Sequence, residues 1–445
     1  MNMANTKQIL ALNRFDARHS DDLGAELGTL LARREATFGA SSVLVYERPI
    51  RLVRAEGVWM FDADGRRYLD VYNNVASVGH CHPRVVEAIA KQAATLNTNT
   101  RYLYDNIHDY AERLLATFPA QLSNIVFTCT GSESNDFALR LTKSFTGGSG
   151  FVVTETAYHG NTEAVTDVSP SSFKTRTVPP HVRTVPAPDR YRHPTKDLGA
   201  RFAKDIAKAI ADLKRSGVKF GGLLVDSIFS SDGIYPDPAG FLKQAVEVVH
   251  KAGGLFISDE VQPGFGRTGT AMWGFQRHGV DPDIVTLGKP MGNGFPVAGV
   301  VTRPEILEAF CETTGYFNTF AGNPVAAAAG LAVLDVIENE GLIENANNVG
   351  GHLRAGLEEI AGQYPSIGDV RSAGLFIGIE FSLPGTTKPD PGTASYVINA
   401  LKERGVLIGA AGAYGNVLKV RPPLCFSRDN ADLFLETLDA VLGER

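Results

Sequence analysis

The stretch 282–296, PDIVTLGKPMGNGFP, sets a single lysine, Lys289, at the end of an apolar run, between Gly288 and Pro290, with a glycine-rich turn behind it. The run reads as a buried strand closed by turn residues. A lysine directly beyond such a strand either reaches for water or stands in a pocket as a nucleophile. Working outward, NIVFTCT (124–130), GFVVTET (150–156), GGLLVDSIF (221–229), GLFISDEV (254–261) and VAGVVT (297–302) repeat the strand pattern. Between them SESNDFALRLTKSF (132–145) and AGFLKQAVEVVHKA (239–252) have the spacing of amphipathic helices. Strands alternating with helices predict an α/β fold, with a mostly parallel sheet covered on both faces.

The flanks differ. Residues 21–38 predict a helix, and VWMFDADGRRYLDV (58–71) a hairpin around Asp64-Gly65. Beyond residue 335 come long helical stretches, then the strands GLFIGIEF (374–381) and NVLKVRP (416–422) and a last helix over 428–442. This divides the chain into an N-terminal helix and hairpin segment (1–75), a large domain (76–334) and a smaller α+β domain (335–445), with which the N-terminal segment is expected to pack. LPGTTKPDPGTA (383–394) reads as a loop.

A net charge of −6 argues against a nucleic-acid-binding surface, so any anion site is local. The four cysteines form no C-x-x-C pair, and GHCHP (79–83) offers two histidines without a third ligand, so no metal centre is expected. Residues 1–20 lack the apolar core of a signal peptide, and no run approaches the roughly 18 apolar residues of a membrane span. A cytoplasmic enzyme is the expectation.

Several stretches could carry chemistry. FTCTGSESNDFALRL (127–141) runs strand, turn, helix, and brings the amides of Gly131, Ser132 and Glu133 to a helix start, where unsatisfied donors favour a phosphate. An ordinary serine-capped helix is the plainer alternative. LFISDEVQPGFGRTG (255–269) puts Asp259 and Glu260 at a strand end, where open α/β sheets bind ligands; a carboxylate there either faces a protonated ring nitrogen or serves as a cap. Its GFGRTG is no dinucleotide fingerprint, because no convincing helix follows. TAYHGNT (156–162) offers Tyr158 and His159, an aromatic that could stack on a planar group or simply pack at a strand end. An amine, a phosphate cradle, a carboxylate and an aromatic, each at a strand end, are the set that pyridoxal phosphate requires.

With those motifs in place, the chain resembles the class III aminotransferase family of fold-type I pyridoxal-phosphate enzymes over essentially its whole length. The matching stretches are GSESNDFALRL, AYHGN, SDEVQPGFGRTG, DIVTLGKPMGNGFPV and FNTFAGNP. The resemblance implies that Lys289 is the Schiff-base lysine and general base, and that Asp259 pairs with the pyridinium nitrogen. It places Tyr158 on the ring, Gln262 near its phenolic oxygen, and Gly131 and Ser132 at the phosphate. It adds Thr319 from the other subunit of a homodimer with shared active sites, or of a tetramer built from such dimers.

Asp226-Ser227 stands where most of the family has Glu-Pro. That departure is similar to the branch typified by ethanolamine-phosphate and hydroxylysine-phosphate phospho-lyases. A phosphorylated amine calls for cations facing the cofactor. Arg101, in NTNTRYLYDN (97–106), and Lys419, flanked with Arg421 around Val420, are the candidates; surface charges are the alternative. The leading expectation is a lyase that eliminates phosphate and ammonia from an amine of the O-phosphoethanolamine type. The alternative is an ω-amino-acid or amine transaminase using pyruvate or a similar keto acid, and a more remote one a non-catalytic cofactor-binding dimer.

Overall fold

The computed structural model describes residues 13–15, 23–41 and 43–445. Its centre is a seven-stranded sheet in the order Asn124–Thr128, Ala298–Thr302, Ile284–Leu287, Leu255–Asp259, Phe220–Asp226, Gly150–Thr154, Val182–Val185. Ala298–Thr302 runs antiparallel to both of its neighbours, and the other pairings are parallel. The mostly parallel sheet expected from the sequence is therefore present. Its central strands are short runs buried at every position, as Ile284–Leu287 and Leu255–Asp259 show, because helices cover both faces.

Parallel strands share a direction, so their C-terminal ends gather at one edge. The register aligns Asp226 with Asp259, and Asp259 with Thr286, two residues before the glycine that precedes Lys289. The sheet thus collects the carboxylates and the lysine from distant parts of the chain. The helix Gly131–Thr146 opens at the same edge; Thr130 caps it by accepting the Glu133 amide, and Gly147, at φ 64°, ends it.

Two four-stranded sheets flank the centre. In one, Leu52–Glu56, Trp59–Asp62 and Arg67–Asp70 form the antiparallel hairpins, and Val406–Leu407 joins Arg67–Asp70 in parallel. That pairing ties the N-terminal hairpin to the C-terminal part of the chain. The other is antiparallel throughout: Ile367–Ala373, Phe376–Phe381, Val417–Val420, Gly409–Ala411. Residues 334 and 335 both lie inside the continuous helix Pro324–Asn339, so the expected boundary has no break in the chain there. The N-terminal helix spans Ala25–Phe38; positions 21 and 22 of the expected helix lie outside the described residues.

The expected loop at 383–394 needs correction at its end. Pro391 begins the helix Pro391–Glu403, with Asp390 as its cap accepting the Thr393 amide at 3.0 Å. Asp-Pro-Gly-Thr looks like a turn by composition, yet a cap followed by proline is also a helix start. Among the described residues no helix is long and apolar enough to cross a membrane, and no cluster has the make-up of a metal site.

Candidate active site

A cavity of about 260 Å³ opens at the C-terminal edge of the central sheet. Lys289, Asp259, Tyr158, Gln262, Gly131 and Ser132 all line it, although up to 158 positions separate them in sequence. The turn Lys289–Gly292 follows the strand Ile284–Leu287 after the single residue Gly288 and brings the lysine to the wall of this space. The side chain is accessible within the cavity while protein surrounds it. That enclosure, with Arg421 nearby, lowers its pKa from the ordinary value; Asp259 and Asp226 oppose the shift.

Asp259 is held on every side. Its Oδ2 meets His159 Nδ1 at 2.7 Å and accepts from Asn135 Nδ2 at 3.0 Å, and its Oδ1 accepts the Val261 amide at 3.0 Å. Asn135 is fixed in turn by Thr286 Oγ1 at 2.8 Å and by the His159 carbonyl at 2.8 Å. His159 and Asn135 are functional neighbours that sequence reasoning missed. The sequence marks His159 only as a companion of Tyr158, and nothing in the helix 131–146 marks Asn135 as inward-facing except its polarity among buried neighbours.

At the helix start Thr130 Oγ1 takes the Glu133 amide at 3.1 Å, and Glu133 returns a carboxylate oxygen to the Cys129 amide at 2.6 Å. This leaves the Gly131 and Ser132 amides as the donors of the first turn facing the cavity. Ser132 Oγ accepts the Asn161 amide at 3.2 Å. Gly160 is needed here: a Cβ at that position would lie 2.6 Å from Ser132 Oγ, and its φ of 146° suits glycine.

The second layer is cationic. Lys419 and Arg421 are both buried, on the strand Val417–Val420 and just beyond it. Arg421 donates to the Tyr72 carbonyl at 3.0 Å and to Gln262 Oε1, and its guanidinium lies 5.1 Å from the Tyr72 ring centre. Lys419 Nζ lies 5.9 Å from the Phe376 ring centre and, among the described residues, has no carboxylate within ion-pair distance. Burial, helped by Arg421, pushes its pKa well down, while Asp226 acts the other way. Asp226 lines the cavity and accepts the Ile228 amide at 2.9 Å and the Ser230 amide at 2.8 Å; burial raises its pKa.

Other candidates are structural. Glu260 points away and accepts from Ser227, Ser258 and the amides of Gly274 and Phe275 at 2.7–3.1 Å. Ser227, notable in sequence as a departure, therefore serves to anchor Glu260. His80 pairs with Asp70 at 2.7 Å and His82 with Glu340 at 3.0 Å. In GFGRTG, the buried Arg267 donates to the carbonyls of Leu375 and Pro422. Arg101 and Thr319 are exposed and do not line this chain's cavity; Arg101 lies 4.0 Å above the Phe317 ring.

Residues 41–442 match the model of the family Aminotransferase class-III. A phospholyase from Arthrobacter, solved in complex with phosphoethanolamine, superposes with a TM-score of 0.91 at 44% identity, over 94% of this chain and all of that one. The alanine–glyoxylate aminotransferase 2-like protein of Drosophila melanogaster is 42% identical, over 93% of this chain and 87% of its own length. Ethanolamine-phosphate phospho-lyase homolog 1 of Caenorhabditis elegans is 38% identical over 93% of each.

The chain belongs to the class III aminotransferase family, with the fold-type I architecture, and its cofactor is pyridoxal phosphate. The residues present fit that group: an enclosed amine at Lys289, a triply anchored carboxylate at Asp259, and helix-start amides beside a glycine whose missing Cβ leaves the approach open.

Proposed function

We propose that this enzyme is a lyase that removes phosphate and ammonia from a small phosphorylated amine of the O-phosphoethanolamine type, leaving an aldehyde. The observation that carries the reading is Lys419: a buried lysine with no carboxylate within ion-pair distance among the described residues, on the sheet beside the cofactor cavity though not in its lining. A buried cation without a counter-ion is costly, and an anionic substrate group offsets that cost. The Arthrobacter phospholyase, solved with phosphoethanolamine, and the phospho-lyase homolog of C. elegans support the same reading.

In this account Gly131 and Ser132 hold the cofactor phosphate, Tyr158 covers the ring, and Gln262, oriented by Arg421, lies near the phenolic oxygen. Asp259 receives the ring N–H, and its bonds to His159 and Asn135 keep the carboxylate aimed there. Pyridoxal phosphate, when bound, supplies the electron sink for the pair left at the amine-bearing carbon. Lys289, with its pKa lowered by enclosure, takes the proton from that carbon. Lys419 holds the phosphate on the neighbouring carbon; the C–O bond breaks, the phosphate departs with the electron pair, and one water completes hydrolysis to aldehyde and ammonia.

Arg101 and Thr319 belong to a patch that includes Leu103 at 92%, Phe320 at 73% and Tyr102 at 66% exposure. Apolar side chains this open call for a cover, and in this reading a second copy of the chain supplies it, bringing Thr319 and Arg101 to the neighbouring cavity. The Drosophila relative favours the transaminase alternative, in which Lys289 returns the proton and a keto acid is consumed. Aldehyde formation from O-phosphoethanolamine, followed with an NADH-linked dehydrogenase and no keto acid, supports the lyase. Turnover that requires pyruvate or glyoxylate supports the transaminase.

A further inference from the structure

Thr319 is exposed in the loop 316–323, and side chains brace that loop at both ends. At the far end Asn323 caps the helix Pro324–Asn339 by accepting the Ala326 amide at 2.9 Å, while its Nδ2 donates to the Phe320 carbonyl at 2.7 Å. The Tyr104 hydroxyl donates to the Gly322 carbonyl at 2.6 Å, and Arg101 lies above the Phe317 ring, so the segment 101–104 is joined to the same loop. Gly322 has φ of 64°, and a Cβ there would meet Phe127 Cβ and Thr100 Cγ2 at 3.2 Å.

Asn318 holds the near end. Its Oδ1 accepts the amides of Phe320 and Ala321 at 3.3 Å, and the Cys129 thiol lies 3.8 Å from the same oxygen. Those donors fix which way the side-chain amide faces, so its Nδ2 turns to Glu133 Oε2, at 3.4 Å. The same carboxylate oxygen accepts the Cys129 amide at 2.6 Å, where the strand Asn124–Thr128 gives way to the cofactor cradle. Thr130 Oγ1 accepts the Glu133 amide, and between those two residues stand Gly131 and Ser132, which line the cavity. One carboxylate thus touches both the entry to this chain's phosphate cradle and the loop that carries Thr319.

We propose that Asn318, held by Glu133, is a positioning residue for the neighbouring active site: it sets Thr319 for the cofactor phosphate of a second copy and ties that presentation to the cradle of its own subunit. This rests on the reading in which a second copy covers the patch around Thr319. Neither Asn318 nor Glu133 lines this chain's cavity, so they act through the loop. Glu133 is the stationary partner, because the Cys129 amide and the helix start hold it. Asn318→Asp keeps an oxygen for the Phe320 and Ala321 amides but sets a second carboxylate against Glu133 where an N–H donor stood. The loop is then pushed off its support without losing its own turn.

The test uses hybrid holoenzymes made by co-expressing two differently tagged chains, with cofactor affinity read from the visible absorbance of the group joined to Lys289. In the first hybrid one chain carries Asn318→Asp and Lys289→Ala and the other is wild type, so the site with a lysine receives Thr319 from the altered chain. Its cofactor affinity is expected to fall about tenfold. In the second hybrid the two substitutions sit on different chains. The site with a lysine then has the altered Asn318 in its own chain but receives an unaltered Thr319 loop, and its affinity stays within about twofold of wild type. Adding Glu133→Gln beside Asn318→Asp in the first hybrid removes one of the two facing charges and is expected to restore most of the lost affinity. Equal losses in both hybrids, or a loss confined to the second, overturn the proposal and make Asn318 structural within its own subunit. Thr319→Ala in place of Asn318→Asp in the first hybrid separates the two claims. No loss with Thr319→Ala overturns the reading of Thr319 as a contact to the neighbouring site; a loss with Thr319→Ala and none with Asn318→Asp overturns this inference alone.

Discussion

Lys419→Met separates function from stability in one substitution. Methionine nearly matches the length of the lysine side chain and removes only the charge, at a buried position where no carboxylate lies within ion-pair distance among the described residues. A hydrogen bond to a charged group contributes about 1.5–3 kcal/mol, so KM for the phosphorylated amine is expected to rise roughly ten- to 150-fold at pH 7.5. Stability should move the other way. The folded state lowers the Lys419 pKa below its unfolded value, so the unfolded chain binds the extra proton more readily. That penalty is fully present below the folded pKa and fades as pH rises through it toward the unfolded value. The variant is therefore expected to melt no lower than wild type at pH 7.5, with any gain shrinking toward pH 10. Steady-state phosphate release and thermal melts at both pH values read the two effects. A melting temperature several degrees lower with KM unchanged would refute the reasoning and make Lys419 structural.

Further outcomes follow from the same geometry. Lys289→Ala is expected to lose both the visible absorbance of the bound cofactor and all turnover, and full activity with an unchanged spectrum would remove Lys289 from the reaction. Gly160→Ala drives a Cβ against Ser132 Oγ and should weaken cofactor binding by roughly 1–3 kcal/mol, measured by titrating apoenzyme. Arg101→Ala should weaken phosphoamine binding more than ethanolamine binding. If Arg101 acts across a dimer interface, co-refolding it with Lys289→Ala yields hybrids with one intact site, so activity should return; no recovery would place Arg101 and Lys289 in the same subunit's site.

The sequence made the centre of the molecule legible because buried parallel strands are nearly unbroken apolar runs, as in LLV before Asp226 and LFIS before Asp259. The edge strand Val182–Val185 escaped, since it is four residues long with Arg183 and Thr184 inside it. So did Ile367–Ala373, whose Asp369 and Arg371 break the apolar pattern while engaging each other at 2.7 Å. Lys289, Asp259 and Tyr158 could be suspected from their positions at strand ends, and the cavity gathers them. The bonds that orient Asp259 could not, because His159 and Asn135 reach it across 100 and 124 positions. Lys419 was visible as a charge in a strand, whereas its place between Gly378 and Gly409 depends on the register of three strands.

The most direct test of the lyase is stoichiometry. Purified holoenzyme is incubated with O-phosphoethanolamine over many turnovers without any keto acid, and inorganic phosphate and ammonia are both measured. Sustained release of the two in equal amounts is the predicted result. A single conversion per active site, which resumes only when pyruvate or glyoxylate is added and yields no phosphate, would contradict it.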